Sequence, residues 1–264
     1  MAAKTVECTV KDSKIFTNYL KKFASIDSTL LFEVDLSDQK FITKSPNEER
    51  SVVKFGELSF EEGKFETKSK EKIRIKVGIY NIQRIIKIID QFPGEFQFII
   101  KYDEVVTNDK TDHAALSILV KNDSLKFNEE CTSLNIFKYI SDDLWNNTIK
   151  KVDEVISFHF SKENIEKIRA LSELDKEYKL IEFINKEGSL FVRGRSFEFL
   201  LAPTTDEKFS ISFFKEQFNK IDVEESSVKM GSDRASFKSE DSETEIVLSR
   251  AEGNDNYDND DLPF

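Results

Sequence analysis

Apolar and polar residues alternate along most of this chain, and this two-residue period is the feature that most restricts its fold. Alternation gives each strand one apolar face, so the strands must share a core. Turn residues such as Asn122-Asp123-Ser124 and Glu187-Gly188-Ser189 separate the runs and favour antiparallel hairpins. The clearest alternating runs are 30–34, 72–77, 95–100, 115–120, 179–184 and 196–201.

Four segments break the alternation and space their apolar residues three and four apart, which is the period of an amphipathic helix. Asp12 or Ser13 is a suitable N-cap for the first helix and Ser161 for the third, while Pro93-Gly94 ends the second. The pattern predicts helices over residues 13–23, 81–92, 162–174 and 213–221.

The order helix, strands, helix, strands occurs once before about residue 150 and again after it. We therefore expect an α+β protein with two similar domains, each with antiparallel sheets outside and two short helices inside. The expected domains are residues 1–150 and 151–250, joined by the polar stretch 142–147. Residues 251–264 lose all periodicity and predict a disordered acidic tail.

Composition removes several protein classes. The chain has 264 residues, 39% of them hydrophobic, with 24 Phe, so it can bury a core and is not disordered throughout. Its two cysteines cannot build a disulfide scaffold, which indicates a reducing compartment. No apolar run is long enough for a membrane span, and the N-terminus lacks a signal-peptide segment. We expect a soluble, cytoplasmic protein without membrane contact.

Nothing in the sequence indicates catalysis. His113 and His159 are the only histidines and show no metal-ligand spacing. Cys8 and Cys131 lack a Cys-x-x-Cys partner, and no glycine-rich phosphate loop occurs. The sequence predicts no enzymatic activity, no cofactor and no metal.

Positive charge is concentrated on the predicted helices although the chain carries a formal charge of −11. In chain order, the four helices carry +3, +1, 0 and +1. If their outer faces line one surface, that surface can hold phosphates without reading bases. The plainer alternative is that any surface helix carries basic residues opposite its apolar stripe. The candidate phosphate-binding residues are Lys14, Lys21, Lys22, Arg84, Lys87, Lys162, Lys167, Arg169, Lys215 and Lys220.

Four segments resemble the sliding clamps of DNA replication, specifically the T4-type phage branch of the PCNA-like fold. Residues 20–31 and 40–45 resemble the N-terminal signature of the phage clamps. Residues 158–165 are similar to the strand-into-helix opening of their second domain, and residues 187–194 to the hairpin after it. The similarity covers roughly residues 11–250 in the order of elements.

The resemblance implies a ring of three two-domain subunits around duplex DNA, helices inside and sheets outside, with edge strands of adjacent subunits paired. It implies a processivity factor without catalytic chemistry that recruits DNA polymerase, a clamp loader and other replication proteins, in the cytoplasm of an infected bacterium. By helix position alone, the ten basic residues map onto the inner face of such a ring.

The C-terminal residues depart from that family. Asp260, Asp261, Leu262, Pro263 and Phe264 resemble the acidic tip of bacterial single-stranded-DNA-binding proteins. A short apolar wedge beside acidic residues suits a pocket with a basic rim, so we expect these residues to bind partners. An alternative function is then a phage single-stranded-DNA-binding protein on a clamp-like scaffold, with aromatic residues stacking bases. A tail that only improves solubility is the remaining alternative.

Overall fold

The computed structural model describes residues 3–107, 110–174, 176–204, 208–240 and 244–251. These residues form strands and a few short helices. The strands are β1 (Lys4–Val10), β2 (Leu30–Asp35), β3 (Lys40–Pro46), β4 (Val52–Ser59), β5 (Phe65–Thr67), β6 (Arg74–Ile79), β7 (Phe96–Thr107), β8 (Lys110–Lys121), β9 (Lys126–Glu130), β10 (Ile156–Phe160), β11 (Leu180–Lys186), β12 (Ser189–Arg193), β13 (Glu198–Pro203), β14 (Phe209–Phe214), β15 (Ser226–Met230), β16 (Arg234–Ser239) and β17 (Thr244–Ser249).

The helices are short. The α-helices are α1 (Ser13–Ala24), α2 (Ile82–Ile89), α3 (Asp142–Leu144), α4 (Lys162–Leu174) and α5 (Lys215–Phe218). A 3₁₀ turn covers Leu134–Ile136, and a π-helical turn covers Trp145–Ile149 directly after α3.

The strands form two sheets. The larger has the order β10-β15-β16-β17-β4-β3-β2-β6-β8-β7-β1-β5, with β9 paired to β8. Its pairings are antiparallel except for a short parallel contact between β6 and β8. The pairing of β17 with β4, in which Val247 lies opposite Val53, joins the two halves of the chain edge to edge. The smaller sheet has the order β13-β12-β11-β14.

Each half of the chain has its own apolar core, and the helices close it. In the first half, α1 buries Phe16, Leu20 and Phe23 against the strands. Phe16 and Phe65 meet edge to face with ring centroids 5.0 Å apart, a favoured aromatic geometry. In the second half, α4 and α5 pack against the smaller sheet and β10. The protein is α+β with two similar domains, as expected.

The predicted elements agree with the structure except at two helices: α2 ends at Ile89, three residues before the end of the predicted helix 81–92, and the fourth helix is shorter still. Each of the six alternating runs falls on a strand, and α1 and α4 match their predicted spans closely. Asp12 caps α1 by accepting a hydrogen bond from the Lys14 amide. The predicted helix 213–221 shrinks to α5 because Phe213 lies in β14, opposite Ile181. The apparent helical spacing over residues 213–221 arises because buried residues at the end of β14 are followed by the single turn of α5.

Candidate nucleic-acid interface and connector groove

The four principal helices lie next to one another in one row. Helices α1 and α2 pack side by side. The ammonium of Lys215, at the start of α5, donates to the Ser172 carbonyl of α4 at 2.7 Å. The ammonium of Lys220, just after α5, donates to the Ser25 carbonyl at the end of α1 at 2.9 Å. The row α2-α1-α5-α4 therefore crosses from one half of the chain to the other; we call it the helix row.

A buried ion pair fixes the two halves beneath this row. The Lys54 side chain in β4 is fully buried, and its ammonium donates to Asp222 Oδ1 at 2.6 Å and to the Lys22 carbonyl at 2.7 Å. Asp222 follows α5 in the second half. Burial lowers the pKa of Lys54, and the Asp222 carboxylate opposes that shift without cancelling it.

Five of the ten candidate basic residues are exposed on the helix row and have no close ion pair among the described residues. Among the described residues, Lys14 and Lys87 make no ion pair. Lys21 lies 3.9 Å from Asp90, and Lys162 lies 4.0 Å from Glu166, which are loose exposed contacts. The Lys167 ammonium lies 4.3 Å from the centre of the Phe199 ring. Exposed pairs of this kind are worth about 0–1 kcal/mol, so a phosphate can displace them.

The other five are held by the protein itself. Arg84 is paired with Glu129 at 3.0 Å and Lys22 with Glu224 at 3.4 Å. Lys215 and Lys220 donate to carbonyls, as described above. Arg169 donates to the Asn219 carbonyl at 2.9 Å and to the Ile221 carbonyl, while its buried Nε has no hydrogen-bond partner among the described residues. Burial lowers the pKa of Arg169, and the two hydrogen bonds of its guanidinium hold α4 against the residues after α5.

Carboxylates interrupt the positive surface of α4 more than that of α1. Glu163, Glu166 and Glu173 are exposed along α4. Helix α1 carries no acidic residue, and Lys21 and Lys22 lie in its last turn. The strongest positive part of the helix row therefore lies on α1 and the adjoining α2.

The segment between β9 and β10, residues 131–155, crosses the junction of the two halves and is called the connector. Its Trp145 is 2% exposed and stacks on Phe55 of β4, with ring centroids 5.1 Å apart. Trp145 also belongs to a small core with Val53 and Val247, which face each other in β4 and β17. The polar stretch 142–147 thus contains an apolar anchor, which its acidic and amide neighbours hid in the sequence.

A cluster of charges fastens the front of the connector to the sheet. The Asp142 carboxylate accepts hydrogen bonds from Lys44 of β3 and from Arg74 of β6, the latter at 2.6 Å. Arg74 also contacts Asp35 at 2.8 Å. Burial raises the pKa of Asp142, but the hydrogen bonds from Lys44 and Arg74 outweigh it and hold that pKa below its ordinary value. The attachment is complete at neutral pH and weakens as the pH falls through this lowered pKa.

Replacing Asp142 with Asn should loosen the connector without unfolding the sheet. The amide has no negative charge to attract Lys44 and Arg74, so Trp145 should become more accessible. Acrylamide quenching of Trp145 fluorescence measures this directly because the chain has a single tryptophan. The matched control is Asp143→Asn, which changes the adjacent carboxylate. Equal quenching of Asp142→Asn and the unchanged protein would contradict the role of Asp142.

A small groove lies between the connector and the junction strands, and we call it the connector groove. Its volume is about 210 Å³. Its walls are mostly apolar, and Arg234 closes one end by donating to the Thr148 carbonyl at 2.7 Å. The lining residues are Arg50, Val53, Ile140, Leu144, Ile149, Arg234, Val247 and Ser249. Sequence reasoning missed this site because its residues come from distant segments that only the fold brings together.

The residues considered for catalysis have structural surroundings. His159 lies between Glu225 at 2.7 Å and Glu240 at 3.1 Å, and the hydrogen bond to Glu225 is the main cause of its raised pKa. Burial raises the pKa of Cys8 to about 11 and that of Cys131 to about 12, so both thiols are protonated at neutral pH. Within the described ranges, no three His, Cys, Asp or Glu side chains converge as a metal site.

Two sequence expectations concern other parts of the chain. Asp260–Phe264, the expected partner-binding tip, lies outside the described residues. In the part of the chain that the structure describes, no helix has the length and apolar character required to cross a membrane.

Solved structures with a similar fold include sliding clamps. The PCNA of Entamoeba histolytica matches with a TM-score of 0.63 at 15% identity, over 95% of this chain and 100% of that chain. The Helicobacter pylori beta clamp, solved with a DNA ligase peptide, matches with a TM-score of 0.66 at 12% identity, over 95% of this chain and 66% of that chain. The PCNA of A. fulgidus, solved with the C-terminal region of FEN-1, matches with a TM-score of 0.61 at 11% identity, over 93% and 97%.

This chain therefore spans about two thirds of the length of the bacterial clamp and the whole length of the PCNA chains. No family model and no curated protein matches the sequence. The similarity is one of three-dimensional arrangement. The chain has the sliding-clamp fold.

Proposed function

We propose that this protein is a sliding clamp, a non-enzymatic processivity factor that encircles duplex DNA and moves along it without reading its sequence. The observation that carries the proposal is the helix row. Contacts of Lys220 and Lys215 link the helices of the two halves, and Lys14, Lys21, Lys87, Lys162 and Lys167 on these helices are exposed. Point charges on flexible side chains attract phosphates at any sequence, which a moving ring requires.

The ring would close through two sheet edges. Among the described residues, β9 is paired only with β8 and β13 only with β12. A free edge invites pairing with another chain, and head-to-tail pairing of β9 with β13 of the next copy covers both. The exposed Leu200 of β13 would be buried in the same contact. With residues 1–150 and 151–250 as the two domains of each subunit, three copies supply a six-domain ring.

Replication proteins would dock in the connector groove. The structures of the H. pylori and A. fulgidus clamps contain a DNA ligase peptide and the C-terminal region of FEN-1. Short segments of this kind suit a groove with apolar walls and a basic residue at its mouth. The partners proposed here are a DNA polymerase, a clamp loader and other replication proteins of an infected bacterial cell.

The single-stranded-DNA alternative needs exposed aromatic rings on which bases can stack. Most of the large rings pack in the two cores, including Phe16, Phe41, Phe98 and Phe183. Among the described residues, the exposed large aromatic side chains are Tyr80 beside α2, at 72% exposure, and Tyr139 of the connector, at 41%. Two exposed rings in different segments support this function less well than the helix row supports the clamp.

Mass in solution and retention on DNA test the proposal together. Light scattering should give three times the chain mass of 30.6 kDa. The protein is diluted to open the ring and is then concentrated again with a nicked circular duplex. It should stay bound to the circle through a gel-filtration column, and cutting the circle should release it. A monomer that releases equally from circular and linear duplex but binds oligo-dT tightly would contradict the clamp and favour the alternative.

A further inference from the structure

The connector groove has a size and charge that suit a short peptide segment. At about 210 Å³ it is smaller than pockets for small molecules, which are roughly 300–1,000 Å³. It therefore accepts a few side chains. Arg50 at its mouth is exposed, and within the described residues it forms no ion pair. Arg234 is partly neutralised by Asp233 at 2.7 Å, so Arg50 supplies most of the positive charge.

The chain itself leads from this groove into its acidic tail. Ser249, the last residue of β17, lines the groove. Two residues later, the Ala251 amide donates to the Ser212 carbonyl at 2.8 Å, and this is the last described residue. Leu262 follows Ala251 by eleven residues, which span up to roughly 36–40 Å when extended. The tail is thus long enough to turn back and reach the groove from which it departs.

The tail matches the groove in chemistry. Residues 252–264 contain five carboxylates and no basic residue. Leu262, Pro263 and Phe264 then provide three apolar side chains in succession. An apolar wedge preceded by Asp260 and Asp261 is complementary to an apolar cleft with an arginine at its mouth.

We propose that residues 260–264 dock in the connector groove of their own subunit and compete with incoming partner segments. This inference rests on the proposed function of the groove as a peptide site. A tethered segment has an effective concentration in the millimolar range, so even weak docking reduces the apparent affinity of a partner. Partner segments that bind the groove more strongly than the tail displace it, whereas weak or accidental ligands do not.

The test uses a fluorescein-labelled synthetic peptide of residues 258–264 as the probe. Its binding is measured by anisotropy to the full chain and to a chain truncated after Ala251. The truncated chain should bind the peptide at least tenfold more tightly than the full chain does, because its groove is free. Trp145, which packs beneath Val53, Ile140 and Val247 of the groove, should report binding through a change in its emission.

Two variants locate the contact. Arg50→Glu in the truncated chain should weaken peptide binding at least tenfold, whereas Lys70→Glu, an equal charge reversal in the β5–β6 loop, should leave it unchanged. The full chain with Leu262→Ser and Phe264→Ser keeps every charge of the tail but lacks its wedge. It should bind the peptide as tightly as the truncated chain.

Three results would overturn the proposal. The first is equal peptide affinity of the full and truncated chains. The second is tight binding that ignores Arg50→Glu, which would place the tail elsewhere. The third concerns the difference in Trp145 emission between the full and the truncated chain. If this difference disappears when the ring is diluted to monomers, the tail docks in a neighbouring copy. Retention on circular DNA is measured separately on both chains, so failure of the clamp function is distinguishable from failure of tail docking.

Discussion

Replacing Asp222 with Ala should destabilise the protein by about 3 kcal/mol, the lower part of the range for breaking a buried ion pair. Lys54 would keep its charge in a fully buried site without a counterion. Asp222 itself is 23% exposed, which is why the lower part of the range applies. The free energy of unfolding in urea measures the loss, provided that folded mass and circular dichroism confirm the native state.

The pH dependence identifies the cause of that loss. The pKa of Lys54 is already lowered by burial and should fall further without Asp222. The unfolded state then binds more protons than the folded state, so stability rises with pH. Asp222→Ala should recover part of its deficit relative to the unchanged protein between pH 7 and pH 9. A deficit that stays constant over this range would show that lost packing is responsible.

Lys54→Met is the matched control. An apolar side chain of similar length removes the buried charge and leaves the carboxylate of Asp222, which is partly exposed and 3.4 Å from the Thr244 hydroxyl. Removing one partner of a buried pair is costly when the other charge stays buried, but the Asp222 carboxylate is 23% exposed and can stay hydrated. We expect Lys54→Met to lie within about 1 kcal/mol of the unchanged protein, well above Asp222→Ala. A loss as large as that of Asp222→Ala would contradict the desolvation argument.

Replacing Lys14, Lys21 and Lys87 together with Ala should weaken binding to duplex DNA by on the order of 10²–10³ at about 0.1 M salt. Each phosphate contact contributes about 0.9 to the slope of log affinity against log salt, so the slope should become about 2.7 units shallower. These lysines lie on α1 and α2, where the helix row is most positive. Fluorescence anisotropy with a labelled duplex at several salt concentrations gives both quantities.

The control for this variant changes three lysines away from the helix row. Lys68, Lys70 and Lys72 are exposed in the loop between β5 and β6 and reduce the net charge equally when replaced by Ala. That variant should keep the salt slope of the unchanged protein within about one unit. If both triple variants lose the same slope, DNA responds to total charge, and the helix row is not its binding surface.

The local sequence pattern was sufficient to predict an element where the residues that stabilise it lie close together in the sequence. The apolar stripe of α1 and its Asp12 cap are local, and so is the turn at Glu187 and Gly188, whose φ angles of 53° and 70° suit a tight hairpin. The predicted helix 213–221 was too long since the same apolar residues satisfy a buried strand. Helical and strand periods cannot be separated over so few residues.

The candidate nucleic-acid interface could be predicted only in part from the sequence, because local patterns do not show distant contacts. A helical wheel shows which lysines face away from the apolar stripe, but it does not show what lies opposite them. Arg169 points outward on its own helix and meets carbonyls of the segment after α5. No sequence pattern indicates the connector groove itself. The single Trp145 among acidic and amide residues indicates only that the connector has a buried anchor.

The strand-rich class, the helices that close each core and their excess of positive charge could be read from the chain alone, because these follow from the order of side chains along a few turns. That the helices of both halves form one row, that Lys54 and Asp222 hold the halves together, and that the connector leaves a groove became apparent only in the folded molecule. Those features depend on contacts between residues far apart in the sequence, such as Lys54 and Asp222 at 168 positions and Lys220 and Ser25 at 195 positions, and backbone periodicity carries no information about such distant partners.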